Sequence, residues 1–572
     1  MLIKKTSVII VCVTSALVLG LAACGLSPAP FDEGTQATKT DTAKTEVAPS
    51  KNVSVETEAY EVDDMTANSM VMGYDIPEFN TEEYDSVEES GFVSTVSSPL
   101  STVSADVDTA SYANLRRMLF NGYKLQTAED KKRIEELKEE DPYWTDDYYS
   151  YEYNVIPTGA VRIEEMLNYF NYDYEVPDGQ EGFAVTARVG ACPWNKDTEL
   201  LVLGFATPHE SAEVKEKGSN LVFLIDVSGS MDNPDKLPLL QSAFAELVED
   251  LDQNDRVSIV TYSGEEEVVL EGESGANHRE IMRAIRGLDA NGSTNGEAGL
   301  RMAYKIAEDN FIEGGVNRIV MASDGDLNVG MTSESDLHDF VDQKRQSGVY
   351  LSVLGFGAGN YKDNKMETLA DHGNGSYHYI DCEAEAKRVF GERLTANLIP
   401  FANDVKVQVE FNPAAIKGYR LIGYENRTMA AEDFKNDEKD AGEVGPESQF
   451  TVAYEIVRTD SAMEISVPEL KYGAEQTEQR DANELLTAKL RYKPISGDDV
   501  QEQERVVTQD DWSVNPGDDW RFAAAVTEFG MLLRDSEHKG SSSFDSVREL
   551  VGQPAEETRV EFLELVDKAQ NN

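Results

Sequence analysis

Between residues 218 and 400, short apolar runs alternate with longer amphipathic stretches, and this alternation limits the fold more than any other feature. Apolar runs predict strands at 221–226, 256–262, 317–322, 349–355 and 376–380. Helical periodicity predicts helices near 236–252, 278–287, 296–309, 334–347 and 384–398. Strands made almost entirely of Val, Ile and Leu must be covered on both faces. A helix between successive strands leaves those strands parallel. The fold class read from this pattern is α/β, with a doubly wound, mostly parallel sheet. Such sheets bind ligands beyond the carboxyl ends of their strands, where the strand order reverses.

Two of these strands end in an aspartate. Leu221 to Ile225 runs into Asp226, and Ile319 to Ser323 runs into Asp324. After Asp226 come Ser228 and Ser230, at alternate positions. Alternate positions of extended chain point the same way, so three oxygen-bearing side chains can converge on one point. The Gly/Ser loop Leu288 to Asn295 adds the Thr294 hydroxyl just before a predicted helix. Oxygen donors without Cys or His suit a hard cation such as Mg²⁺, Ca²⁺ or Mn²⁺.

Asp-x-Ser-x-Ser, then Thr, then Asp, each at a strand end or loop, resembles the metal-ion-dependent adhesion site of von Willebrand factor type A domains. In that family the two serines and the threonine contact the metal, and the two aspartates bind it directly or through water. The resemblance therefore implies that Asp226, Ser228, Ser230, Thr294 and Asp324 hold a divalent ion, Mg²⁺ or else Mn²⁺ or Ca²⁺. It also implies a protein partner whose Asp or Glu completes the metal shell. In the family this ligation can be coupled to a shift of the domain's last helix, here the 384–398 segment.

The resemblance extends to both flanks. Val96 to Thr102, Asp106 to Tyr112, Arg116-Arg117 and Val161 to Phe170 look like the amino-terminal region of a bacterial subfamily of lipoproteins with a type A domain. Tyr419 to Arg427, Asp440 to Glu443 and Phe522 to Gly530 look like its carboxy-terminal region. Some relatives are named calcium-activated chloride channel homologues. No apolar run past the N-terminus is long enough to span a bilayer, so a channel is not expected here.

Lys4 and Lys5 precede an apolar run from Val8 to Leu19, followed by Leu21-Ala-Ala-Cys24. A basic start, a short apolar core and small residues make a secretion signal. The ending resembles a bacterial lipobox, in which Cys24 is lipidated and anchors the chain to a membrane without a spanning helix. The expected location is the bacterial cell envelope, outside the cytoplasm. With 51 Lys and Arg against 107 Asp and Glu, the chain has a formal charge of −56. That charge opposes binding to nucleic acid and to anionic lipid. Beyond Cys12 and Cys24, only Cys192 and Cys382 remain, as a disulfide in an oxidising compartment or as two buried thiols.

The chain divides into a signal peptide (1–23), a Thr/Ser/Glu-rich disordered tether (24–90) and a helical N-terminal module (91–180). That module carries a Tyr-rich insert at 123–156. First β-sandwich strands (181–217), the type A domain (218–400), the rest of the sandwich (401–500) and a helical C-terminal region (501–572) follow. The alternation in Phe183 to Val189, Val405 to Phe411, Phe450 to Val457 and Leu485 to Lys493 has the period of half-buried antiparallel strands. These strands flank the parallel domain, which reads as an insertion in a sandwich.

Other motifs carry less. Gly355-Phe-Gly357-Ala-Gly359-Asn360 lacks the third glycine of a dinucleotide loop and closes a late strand, so no nucleotide is expected. His372 and His378 lie near Asp371 without metal-ligand spacing. Asp433, Asp437, Asp440 and Glu443 form an acidic loop without the EF-hand pattern. No Gly-x-Ser-x-Gly elbow is present, and the serines at 228 and 230 have no adjacent histidine, so serine hydrolysis has little support. The expected function is metal-mediated capture of a protein partner. An envelope enzyme or a structural lipoprotein using the same metal site is the alternative.

Overall fold

The computed structural model describes residues 81–140, 153–177, 182–209, 217–293, 295–325, 334–393, 398–466, 483–495 and 499–572. The apolar runs of the central region form one six-stranded sheet. Its order is Tyr377–Ile380, Tyr350–Phe356, Val316–Ser323, Ser219–Asp226, Arg256–Tyr262, Glu266–Ser274. Every adjacent pair is parallel except the last. Ser219–Asp226 lies between the strand that follows it in sequence and one that comes later, so the strand order reverses there. Its residues feed two cores in alternation. Leu221, Phe223 and Ile225 meet the helices Leu237–Asp250 and His278–Arg286 on one face. Val222 and Leu224 meet Gly296–Asp309 and Asp363–His372 on the other. Burial on both faces is why Leu221 to Ile225 reads as continuous hydrophobe, while the buried polar residues stand at the strand's ends, where Asn220 donates to Ala307 O.

The sequence expectation of an α/β, mostly parallel sheet holds, with two additions. Glu266–Ser274 extends the sheet as an antiparallel edge strand, and Asp363–His372 is a helix that periodicity alone does not single out. Of the expected 384–398 helix, residues 394–397 lie outside the described residues. Glu383–Lys387 is α-helical and runs into a π-helical turn, Arg388–Glu392, a local widening often found at functional sites.

Flanking this domain are two antiparallel sheets packed face to face. One has the order Val93–Ser94, Ile416–Ile422, Gln449–Arg458, Glu199–Ala206, Ala184–Ala191. The other runs Thr428–Met429, Leu100–Ser104, Ala402–Phe411, Glu484–Pro494, Gln501–Thr508, with Gly442–Val444 alongside Ala402–Phe411. Leu201, Leu203, Phe205 and Val452 meet Val407, Val409, Leu486 and Leu490 between them. The chain leaves the first sheet after Glu199–Ala206 and returns in Ala402–Phe411. On the first sheet's outer face, Leu200, Val202 and Ala453 share a core with Ala110–Phe120, Ile163–Asn168, Asp518–Leu533 and Glu557–Asn571.

Two expected boundaries are corrected. Residues 91–180 are not helical throughout, because Val93–Ser94 and Leu100–Ser104 contribute strands to the two sheets. Leu-Ser-Thr-Val-Ser is too short and polar to announce a strand, and its partner Ala402–Phe411 lies far away in sequence. Residues 501–572 begin with an edge strand, Gln501–Thr508, whose solvent-facing Gln and Glu residues hide the alternation. Within the insert, Ala128–Glu140 is a helix. Tyr143, Trp144, Tyr148, Tyr149 and Tyr151 lie outside the described residues, as do the signal segment, Cys24 and the tether up to residue 80. Tyr153 is 46% exposed. Among the described residues no helix is long and apolar enough to cross a membrane.

Buried ion pairs join the inserted domain to the helical layer. Arg116 binds Asp381 through two nitrogens, and also reaches Glu385 at 3.0 Å and Glu561 at 2.8 Å. Arg162 bridges Glu165, Asp363 and Glu367. Arg427 reaches Asp371 at 2.6 Å and Asp108 at 3.3 Å. Asp108 in turn accepts the Tyr377 N–H at 2.7 Å, on the edge strand that Ala110–Phe120 covers. A polar partner on an edge blocks pairing with another chain.

Candidate functional site

The site lies where Ser219–Asp226 and Val316–Ser323 end side by side, with Ile225 opposite Ala322 in register. Asp226 is fully buried. Its Oδ1 accepts the Ser228 N–H at 2.9 Å, an Asx turn that folds the loop back over the strand end. Its Oδ2 accepts the Ser323 hydroxyl at 3.1 Å. Burial, reinforced by the charge of Asp324, pushes the Asp226 carboxyl up to about 6. The Asx turn brings Ser228 Oγ within 3.0 Å of Ser230 Oγ. Ser228 is buried, Ser230 is half-buried, and Asp232 beyond them is exposed.

The loop before Gly296–Asp309 docks against these serines. Asn291 N–H donates to Val227 O at 2.7 Å, and Gly229 N–H donates to Gly292 O at 3.1 Å. Gly292 takes φ +89°, a left-handed conformation that suits glycine. Thr294 itself lies outside the described residues, two positions beyond Gly292. Of the five residues singled out in sequence, the structure brings Asp226, Ser228, Ser230 and Asp324 to one end of the sheet.

Three further side chains complete the arrangement. Lys236 Nζ lies 2.9 Å from Asp324 Oδ2 and 2.8 Å from Asn360 Oδ1. Asn360 Nδ2 donates to the same Asp324 oxygen at 3.0 Å, closing a triangle. Burial pushes the Asp324 carboxyl upward, yet the Lys236 ammonium and the Asn360 and Ser230 side chains outweigh it and hold the group below its usual range. Ser323, below the strand end, orients Asp226. None of the three is marked by a motif. Lys236 did carry one signal, because it caps the N-terminus of Leu237–Asp250, where the helix dipole disfavours a cation. A lysine there needs a local anion.

Asn360 is held from behind. Thr81 N–H donates to Gly359 O at 2.6 Å, Glu83 N–H to Tyr361 O at 3.0 Å, and Asp363 N–H to Glu83 O at 3.1 Å. Glu82 accepts the Gly359 N–H at 2.8 Å and pairs with buried Arg117 at 2.9 Å. In the Gly355–Asn360 segment the Gly359 N–H is thus committed to Glu82 and the Gly359 carbonyl to Thr81.

The remaining candidates resolve into ordinary packing. His378 Nδ1 meets Thr109 Oγ1 at 3.0 Å in the interior, and His372 pairs with Asp342 while stacking on His338. Asp437 pairs with Arg491, and Asp440 with Arg345. Cys192 and Cys382 are free thiols, so the disulfide alternative does not hold. Burial and neighbouring carboxylates push both up to about 12, which leaves them poor nucleophiles.

The donor set of two carboxylates and two hydroxyls excludes a soft-metal site. Among the described residues no three His, Cys, Asp or Glu side chains converge as a metal-holding group. The set fits a small hard cation. The two serine oxygens, 3.0 Å apart, hydrogen-bond to each other.

Comparison with known proteins agrees with this fold. The von Willebrand factor type A domain family matches residues 220–392. A family described as the C-terminal region of uncharacterized protein YfbK matches 396–571, and one described as von Willebrand factor matches 78–154 and 148–202. Uncharacterized protein YfbK of Escherichia coli (strain K12) is 37% identical over 503 residues, 86% of this chain and 81% of that protein. Human inter-alpha-trypsin inhibitor heavy chain H3 is 29% identical over 29% of this chain and 20% of its own length. A von Willebrand factor type A structure from Catenulispora acidiphila covers 63% of this chain and 80% of that chain at TM-score 0.37 and 15% identity. Type A domains commonly bind a divalent ion at a site of this composition and serve protein interaction.

Proposed function

This chain belongs to the bacterial, type A domain-containing family of Escherichia coli YfbK, and we propose that it captures a protein partner through a divalent cation at the end of its parallel sheet. The convergence of Asp226, Ser228, Ser230 and Asp324 on one strand-end loop cluster carries this reading. Ser228 and Ser230 hold the ion directly, with Thr294 as a third hydroxyl. Asp226 and Asp324 hold it directly or through water. Mg²⁺ suits a site of hydroxyls and carboxylates that leaves positions for water, with Mn²⁺ or Ca²⁺ as the other candidates. A cation held mainly by neutral hydroxyls offers an electrophilic position to an Asp or Glu of the partner. Ser323 and the Ser228 N–H fix the Asp226 carboxylate, so that the ligands stand in place before the ion arrives.

In the same reading, Cys24 carries a lipid that fixes the protein to a membrane of the bacterial envelope, facing away from the cytoplasm. The test is capture from envelope extracts by wild type and Ser230→Ala, with Mg²⁺ and with EDTA. Partners that are lost with EDTA, and lost in Ser230→Ala even with Mg²⁺, support the reading. Identical partners in all four conditions refute it. Loss of stability without loss of partners points to a structural metal, and metal-dependent turnover of an envelope substrate points to an enzyme.

A further inference from the structure

Lys236 stands apart from the family pattern of the site, and its setting is unusually determined. It is 2% exposed and sits at a helix N-terminus against the dipole. Its stem threads past Gly357, where a Cβ would come within 2.2 Å of Lys236 Cε. At its end the ammonium is shared between Asp324 Oδ2 and Asn360 Oδ1, and Asn360 closes the triangle onto the same carboxylate oxygen. The ammonium cannot swing aside without breaking both of its own bonds, and the Asn360–Asp324 bond keeps the two acceptors in place. A cation built into the chain therefore occupies one oxygen of a carboxylate that the proposed metal site needs.

We propose that Lys236 is a resident counter-cation that competes with the divalent ion for Asp324 and thereby sets a deliberately modest metal affinity. This rests on the metal reading above. The charge balance is simple. Asp226 and Asp324 bring two negative charges, and Lys236 cancels one, so an incoming divalent ion meets a net charge of about minus one. Repulsion between a divalent ion and an ammonium a few ångströms away, even at an effective dielectric of about 20, weakens binding by at least about tenfold. Without the ion, the same ammonium ties Asp324 to Asn360, so this side of the loop cluster keeps its shape. The partner's carboxylate then adds the negative charge that the site by itself lacks, which ties firm ion binding to partner binding.

The test is Mn²⁺ titration of the full-length protein with free ion read by electron paramagnetic resonance, and Mg²⁺ as competitor. Lys236→Met keeps the stem and removes the charge. Lys236→Gln removes the charge but keeps a donor for Asp324, and it decides the matter if Lys236→Met does not fold. Both are expected to bind Mn²⁺ at least about tenfold more tightly than wild type. Unchanged or weaker binding in a folded Lys236→Gln protein overturns the proposal. If Ser230→Ala abolishes binding while Lys236→Gln leaves it unchanged, only the role of Lys236 fails. If no variant binds Mn²⁺ at this site, the metal reading fails with it.

Discussion

Replacing Arg116 with methionine measures how firmly the inserted domain is built into the rest of the chain. Arg116 comes from Ala110–Phe120. Its partners Asp381 and Glu385 come from the end of the type A domain, and Glu561 comes from the last helix. The Asp381 side chain has no exposed surface, and both its oxygens are held by Arg116. Removing one partner of such a buried pair costs about 3–5 kcal/mol, because the other charge stays buried. Glu385 keeps Arg388 and the Tyr169 hydroxyl, so its loss is about 1 kcal/mol. Glu561 is 22% exposed and turns to water at little cost. The sum, about 4–6 kcal/mol, is a large part of the roughly 5–15 kcal/mol that holds a domain together. Urea unfolding followed by tryptophan fluorescence reports it, since Trp194 and Trp520 lie in the core cluster beneath Ala110–Phe120. The midpoint falls sharply in Arg116→Met. In Arg116→Met/Asp381→Leu, which removes both charges, all but about 1–2 kcal/mol returns. A loss below about 1.5 kcal/mol in the single variant, or no recovery in the double, refutes the account of the seam.

Three further outcomes are expected. Burial pushes Glu164 up to about 7 in the fold, well above its unfolded value, so its contribution to stability is full at acid pH and is lost as pH rises through 7. Its Oε2 has no hydrogen-bond partner among the described residues. Glu164→Gln should therefore raise the melting temperature more at pH 8 than at pH 5.5, and an equal shift at both would contradict the assignment. Glu82→Gln removes the charge facing Arg117 and loosens the segment that holds Asn360. Hydrogen exchange at Gly359 should quicken at least about tenfold, and unchanged protection would show that residues 81–83 do not secure that loop. Gly357 takes φ +77°, and a Cβ there meets the Lys236 stem, so Gly357→Ala should cost roughly 2 kcal/mol or more in thermal unfolding. A neutral result would mean that Lys236 has another route to Asp324.

What was legible in the sequence was local. Continuous apolar strands, helical periodicity and residues at fixed offsets from a strand end depend on neighbours in the chain. The parallel sheet and the meeting of Asp226, Ser228, Ser230 and Asp324 followed from them. The edge elements were not legible. Leu100–Ser104 and Gln501–Thr508 are polar because they lie at or near sheet edges, and they become strands only by pairing with chain far away in sequence.

The sequence alone thus determined the type of core and the end of the sheet that holds the site, because burial on two faces forces a pattern on every residue of a strand. Only the tertiary structure decided the charge balance there. Lys236, Asn360, Ser323 and Glu82 come from four separate segments, and nothing in their spacing links them. Packing brings a helix-capping lysine and a loop amide onto one carboxylate and sets residues 81–83 behind that loop, and the buried charges make the lysine–carboxylate meeting energetically decisive.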